Sequence, residues 1–443
     1  MKIAEKINNE INRLVFDKYP EKGGCFYVSG IVDIKLFSLF TNADAKSIQF
    51  PLNEIDLNKL KDLCVPAVFG KGTDTIYDKN VRDCLQLKKE EIVNLHIMSN
   101  PPLISMLEYI ISKIVIAFNE EDSDLDVKLH DLVIYEKRSF FKEHTDTEKQ
   151  ENMIGTLVIS LPQPHTGGIM CVEHQNEKKY FQSDLYSDKI SWCAFYADCK
   201  HDILPVVDGT RITLVYNITL NSDKKIGDKN KDNPELNQMV KDCFEETEVI
   251  TKRYEMEDVI EEPFDIIQYN WMPSYKEKKE IISKTNNLIF VLEHNYSKHG
   301  FKYSLLKNRD RYIVDLLYGA ALCNDLELNL GLSLITENWD HYDDDGCNFD
   351  ELSDYQKKIY THLSGLKSQD WTYEWSEFIV NYQLNPVSNE ISNDRLEINC
   401  NDLFALKDTI LDDAEIDGML YQGNWGGDLT RQYRRAVVIL SRK

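Results

Sequence analysis

From Val127 to Leu220 the chain carries no helical period. Short β-branched and aromatic runs, Leu132–Tyr135, Gly155–Leu161, Ile169–Val172, Ile190–Ala197 and Arg211–Leu220, are separated by Gly, Pro and Asn. Short strands at this spacing, with turn signals between them, fold as an all-β sandwich or barrel. Residues 125–220 are therefore the expected β-rich core. The flanks read differently. Ile3, Ile7, Ile11 and Leu14 stand at helical spacing and predict an amphipathic helix over residues 1–18 that covers something larger. A short strand-like run, Cys25–Val28, follows Gly23-Gly24. A second helix is expected after Asn53, and a third from Pro101-Pro102 to about Phe118, since Pro is tolerated in a first helical turn. Glu120–Asp126 reads as an acidic loop.

The polar stretch Asn221–Pro234 is the best boundary in the chain. Beyond it come a charged helix to about Tyr254, strands at Leu288–Leu292 and Leu326–Ile335, a helix at Tyr312–Cys323 and a terminal strand at Ala436–Leu440. This divides the chain into residues 1–124, supporting the core, the core at 125–220, a linker at 221–234, and an α+β domain at 235–443. No internal repeat is visible.

With 42% hydrophobic residues the chain can bury a core and is not a disordered polymer. Against 75 acidic residues it has 51 Lys and Arg, a net charge of -24, and no basic stripe with which to displace counterions from nucleic acid. The apolar run Ile110–Phe118 is interrupted by Ser112 and Lys113 and is too short to cross a bilayer, so no membrane partner is expected. The first residues lack the apolar centre of an export signal. The ten cysteines include no Cys-x-x-Cys pair, which excludes zinc-ribbon and thioredoxin readings. Reduced core thiols in a cytoplasmic compartment fit them better.

Within the β-rich segment, His144-Thr145-Asp146 is a His-x-Asp pair, and alternation along a strand turns its first and third residues to one face. His201 follows 55 residues later, and Arg211 stands ten beyond it at the head of a strand. Two His and one carboxylate make the facial triad of a non-haem Fe(II) site, which leaves coordination positions open. A second His-x-Asp, His341-Tyr342-Asp343, sits in an Asp-rich loop. Although His362 follows, no Arg or Lys stands ten residues past it, so this copy reads as incidental.

The company of the first pair resembles the prolyl-4-hydroxylase-like branch of the Fe(II)/2-oxoglutarate dioxygenases. The likeness runs through Leu132-Val133-Ile134-Tyr135, Phe140–Asp146, Gly167-Gly168, His201–Val206 and Gly209–Thr213. A wider likeness, to fungal and microbial proteins built around the same domain, takes in Phe50-Pro51-Leu52, Phe69–Gly72, Asp146–Lys149 and Tyr421–Asn424. The resemblance implies a double-stranded β-helix (jelly-roll) core, flanked by N-terminal helices and a C-terminal α+β domain. It further implies Fe(II) held by His144, Asp146 and His201, with 2-oxoglutarate and dioxygen as co-substrates. Arg211 would grip the distal carboxylate of 2-oxoglutarate, Thr213 would add a hydroxyl donor, and Tyr135 would contact the co-substrate. The prolyl hydroxylases commonly carry Lys where this chain has Arg211, so the superfamily fits better than the branch.

Each assignment has a plainer counterpart. Tyr135 reads equally as an ordinary sandwich aromatic and Thr213 as a β-former, while Gly167-Gly168 is read as a turn rather than a binding loop, Cys199 as inert packing rather than a site-lining thiol, and the Tyr421–Gly427 loop as a cap on the last sheet rather than a substrate-recognition loop. The implied activity is hydroxylation of a prolyl or other protein residue, with succinate and CO2 released. A free amino acid or small metabolite is the alternative substrate, and a catalytically silent binding scaffold the alternative class.

Overall fold

The computed structural model describes residues 3–20, 25–41, 44–71, 74–120, 123–146, 151–222, 224–227, 233–245, 247–255, 275–284, 286–298, 300–341, 372–398, 403–406, 415–419 and 427–443. Its strands are mostly antiparallel, with helices packed on them, so the β-rich α+β class is as expected.

The segment with no helical period builds two main sheets together with strands from the N-terminal flank, and a two-stranded pair, His165–Gly167 with Val206–Gly209. The larger has seven strands in the order Tyr27–Val32, Ile190–Tyr196, Met153–Ser160, Arg211–Asn221, Asp124–Tyr135, Leu85–Leu87 and Cys64–Pro66. Met153–Ser160 is buried along its whole length, as a strand between two paired neighbours and two covered faces must be. The smaller sheet orders Glu177–Phe181, Met170–His174, Lys200–Ile203, Phe140–His144 and Arg82–Asp83. Both sheets feed one hydrophobic core, which includes Phe141, Val172 and Ile203 from the smaller and Leu157, Phe195 and Leu214 from the larger.

The N-terminal flank supplies two kinds of support. The helix Glu54–Asp62 starts where expected, with the Asn53 side chain accepting from Asp56 N at its N-cap. The helix Leu103–Ala117 follows Pro102 and sends Met106, Ile110 and Ile114 into the β core. The first helix, Ile3–Lys18, goes elsewhere: its Ile7, Ile11 and Val15 belong to a second core with Leu236, Val240 and Leu317. The element expected to cover something larger thus covers the C-terminal half.

That half is built on an eight-stranded sheet. Gly427–Arg442 runs antiparallel to Leu326–His341 through sixteen residues of register and also borders Asn287–Val291. The helices Ile3–Lys18, Pro234–Glu245 and Asn308–Cys323 cover one face. The charged helix expected to reach Tyr254 stops at Glu245, and Thr247–Glu255 is a strand. Thr247, Val249, Ile250 and Thr251 are β-branched, and χ1 crowding in a helix favours the extended state for such a run. The second His-x-Asp and the Tyr421–Gly427 loop fall largely outside the described residues.

The two halves meet through buried charge. Glu120, 1% exposed, is bound by both terminal nitrogens of Arg311 at 2.7 and 2.9 Å and by Lys224 at 2.9 Å. The stretch read as an acidic loop therefore begins with an interior anion and passes into a strand at Asp124. No helix among the described residues is long and apolar enough to cross a membrane.

Candidate metal centre

The strand Phe140–His144 lies beside Lys200–Ile203 with His144 directly opposite His201. Register partners point their side chains the same way, so the two imidazoles meet, with ring centroids 4.1 Å apart. The strand ends at His144, so strand alternation does not place Asp146. Instead its backbone N–H donates to the Ala197 carbonyl at 3.0 Å, and Thr156 Oγ1 donates to its Oδ2. Asp146 Oδ1 lies 3.9 Å from His201 Nε2, a gap that two metal–ligand bonds of about 2.1 Å can bridge. One ligand atom from each of His144, Asp146 and His201 falls within 4.8 Å of the others.

The tautomers suit a metal. His144 Nδ1 is 2.8 Å from the Lys142 carbonyl, and His201 Nδ1 is 3.1 Å from the Cys199 carbonyl. A carbonyl only accepts, so each Nδ1 carries a proton and Nε2 is the ring atom that faces the other ligands. Burial pushes the His144 pKa down, as does the His201 ring, to about 3, which keeps the ring neutral. Phe141 stacks on it at 3.6 Å.

Arg211 heads the strand that crosses the middle of the large sheet, and it is fully buried. Its Nε donates to Ser183 Oγ at 3.2 Å, whereas both terminal nitrogens have no hydrogen-bond partner among the described residues. Such a group is costly to bury unpaired, and burial lowers its pKa. Thr213, on the same strand face, is 1% exposed, with its hydroxyl likewise unpartnered among the described residues. The register aligns Thr213 with Ser160 and Ser160 with Ser191, whose hydroxyls also lack described partners. Tyr135 is the register partner of Arg211.

Arg211, Thr213, Ser160, Ser191 and Tyr135 share one face of the large sheet. On Met153–Ser160 that face carries Thr156, which reaches Asp146, and then Ser160. On Ile190–Tyr196 it carries Phe195, 4.7 Å from the His201 ring, and then Ser191. The triad thus adjoins one end of the face, and Arg211 with three hydroxyls occupies the other. An unpaired planar cation with hydroxyls on the same face fits a carboxylate, and two imidazoles with one carboxylate fit Fe(II). Gly168, at φ +68°, lies against Arg211: a Cβ there would come within 3.0 Å of Arg211 Cδ. Gly167 closes the short strand His165–Gly167 rather than forming the expected turn, and the missing Cβ at Gly168 leaves room for the guanidinium's stem.

Thr156, Ser160, Ser191 and Ser183 were not foreseen from sequence. A signal existed for the first two, since Thr156 and Ser160 are polar positions spaced to share one face of an otherwise apolar strand. Cys199 is wholly buried, and burial raises its thiol pKa well above the usual range, so it packs as an inert residue.

A second cluster, His174, Asp198 and His294, has the same composition and the same 4.8 Å closeness. Its carboxylate is already compensated. Lys307 Nζ lies 2.7 Å from Asp198 Oδ1, and Oδ2 accepts from His294 Nδ1 and from Asn295 N, each at 3.0 Å. Burial would raise the Asp198 pKa, but Lys307 and His294 hold it well below the usual carboxylate value. The His174 and His294 rings stack 4.3 Å apart. An ammonium neutralising the only acid leaves little to attract a divalent cation.

No protein-family model matches the sequence, and no curated protein matches it. Among solved structures the chain is similar to a 2OG-Fe(II) oxygenase family oxidoreductase from Burkholderia pseudomallei, at 18% identity over 38% of this chain and 80% of that one, with a TM-score of 0.23. It is also similar to a prolyl-4-hydroxylase from Pseudomonas putida, at 12% identity over 47% of this chain and 98% of that one, with a TM-score of 0.27. A third is a Trichoplax adhaerens prolyl hydroxylase, in complex with a hypoxia inducible factor peptide fragment, at 11% identity over 48% and 91% and a TM-score of 0.27.

Proposed function

We propose that the protein is an Fe(II)- and 2-oxoglutarate-dependent dioxygenase that hydroxylates a prolyl or another residue of a protein substrate. The observation that carries this reading is the pairing of a triad of two imidazoles and one carboxylate, which adjoins the large sheet's face through Thr156 and Phe195, with a buried guanidinium on that face whose two terminal nitrogens lack partners among the described residues. His144, Asp146 and His201 are the proposed metal ligands. Arg211 is the proposed clamp for the distal carboxylate of 2-oxoglutarate, aided by Thr213. When bound, iron, 2-oxoglutarate and dioxygen together supply oxidative hydroxylation of a C–H bond, with succinate and CO2 as by-products.

The protein's own contribution is placement. The Lys142 and Cys199 carbonyls orient the two imidazoles, Thr156 orients the carboxylate, and Phe141 and Phe195 pack against the His144 and His201 rings. Tyr135 and Gly168 shape the space around the guanidinium.

Anaerobic titration of 2-oxoglutarate into the Fe(II)-loaded protein is the direct test. A visible metal-to-ligand charge-transfer band is expected in the wild type and not in His144→Ala. A colourless wild-type complex would sink the proposal.

A further inference from the structure

We infer that the C-terminal half is a positioning device for the metal ligands, acting through the side chain of Asp198. This rests on the reading of His144, Asp146 and His201 as ligands. A short turn at residues 197–199 joins the strands Ile190–Tyr196 and Lys200–Ile203. Its first residue, Ala197, accepts from the Asp146 backbone N–H at 3.0 Å, and its last, Cys199, accepts from His201 Nδ1 at 3.1 Å. Two of the three ligands are therefore held by carbonyls on either side of Asp198, Asp146 through its backbone N–H and His201 through its ring.

The side chain of Asp198 belongs to the other half of the molecule. Its three donors, His294 Nδ1, Asn295 N and Lys307 Nζ, come from the segment between the strand Asn287–Val291 and the helix Asn308–Cys323. The grip is itself braced, since Asp310 accepts from the His294 backbone N–H at 3.1 Å and from Tyr296 Oη at 2.9 Å. The Tyr296 hydroxyl in turn accepts from Lys307 N at 2.9 Å. Charge-assisted bonds to a buried carboxylate fix direction as well as distance. Releasing Asp198 frees the turn, and with it the two carbonyls that aim Asp146 and His201.

Co(II), added alone to the full-length protein, is the probe, read by its visible ligand-field spectrum and by affinity. Lys307→Met and Asp198→Asn are expected to weaken Co(II) binding about 10- to 100-fold, the range for lost outer-shell partners, and to change the spectrum. Glu120→Gln, which breaks a different buried contact between the halves, is the control: it should lower Tm and leave the Co(II) spectrum and affinity unchanged. If Lys307→Met does not fold, His294→Phe removes one donor and keeps the stacked ring. Folded variants that bind Co(II) like the wild type would overturn the inference, as would an equal loss in Glu120→Gln. Uptake of a second equivalent that His174→Ala abolishes would also overturn it, because Asp198 would then be a ligand. A wild-type protein with no Co(II) site removes the premise, a failure distinct from the others because it appears before any variant is made.

Discussion

The Arg211 guanidinium lies 5.3 Å from the centre of the Tyr135 ring, its register partner on the next strand, and no acid pairs with its terminal nitrogens among the described residues. A buried cation in that state destabilises the fold until a carboxylate arrives. Arg211→Leu should therefore leave the ligand-free protein as stable as the wild type or more so. It should also lose the thermal shift on adding 2-oxoglutarate, which in the wild type corresponds to about 2.7 kcal/mol at a hundredfold excess over Kd. Differential scanning fluorimetry with Co(II) present reads both effects. A retained shift in Arg211→Leu would remove Arg211 from the site.

Thr156 is 4% exposed and spends its hydroxyl on Asp146 Oδ2, leaving Oδ1 turned toward His201. Thr156→Val keeps the shape and deletes the donor. Metal affinity is expected to fall about tenfold or more, while Thr156→Ser restores most of it. Competition with a fluorescent chelator measures the change, and equal affinities for Val and wild type would show that the hydroxyl does not orient the carboxylate.

How far the sequence carried depended on how local the signal was. His144 and Asp146 stand two residues apart and His201 and Arg211 ten, so each pair was visible before any coordinates. Lys307, Asn308, Arg309, Asp310 and Arg311 form a run that looks like the solvated start of a helix, yet all five are buried or nearly so. Their partners lie far away in the chain: Arg311 meets Glu120 across 191 residues and Lys307 meets Asp198 across 109. Periodicity cannot report such pairs. It also could not say that Ile7, Ile11 and Val15 pack under the C-terminal sheet, because an amphipathic helix declares that it has a partner without declaring which.

His174 gives the fold a defined acid sensitivity. Burial pushes its pKa well below the usual 6.5, and His294, Lys307 and Arg309 push it further in the same direction, against the opposing charge of Asp198. Above pH 6.5 it is neutral folded or unfolded and contributes no pH dependence. Below that pH the unfolded chain takes up the proton and the folded chain does not, so stability falls with pH by up to about 1.4 kcal/mol per unit from this residue. Urea denaturation at pH 7.5, 6.5 and 5.5 should show a shallower loss in His174→Phe than in the wild type. Identical slopes would mean that His174 protonates freely in the fold.

Glu120 and Arg311 give the sharpest test of whether the two halves fold as one. Their side chains are 2% and 10% exposed and joined by two hydrogen bonds. Removing one partner of such a pair strands the other charge, at a cost of about 3–5 kcal/mol, whereas replacing both with apolar groups is often close to neutral. Glu120→Leu alone leaves Arg311 and Lys224 uncompensated, and Arg311→Met alone leaves Glu120 with Lys224 only. The double variant should be less destabilised than the sum of the singles by more than about 1 kcal/mol, the sign of direct coupling. Because Ile3–Lys18 and Asn308–Cys323 pack in the same second core, loss of this contact should also lower the unfolding temperature of both halves together. Calorimetry that resolved two transitions, with only one of them moved by Glu120→Leu, would show that the halves are energetically independent.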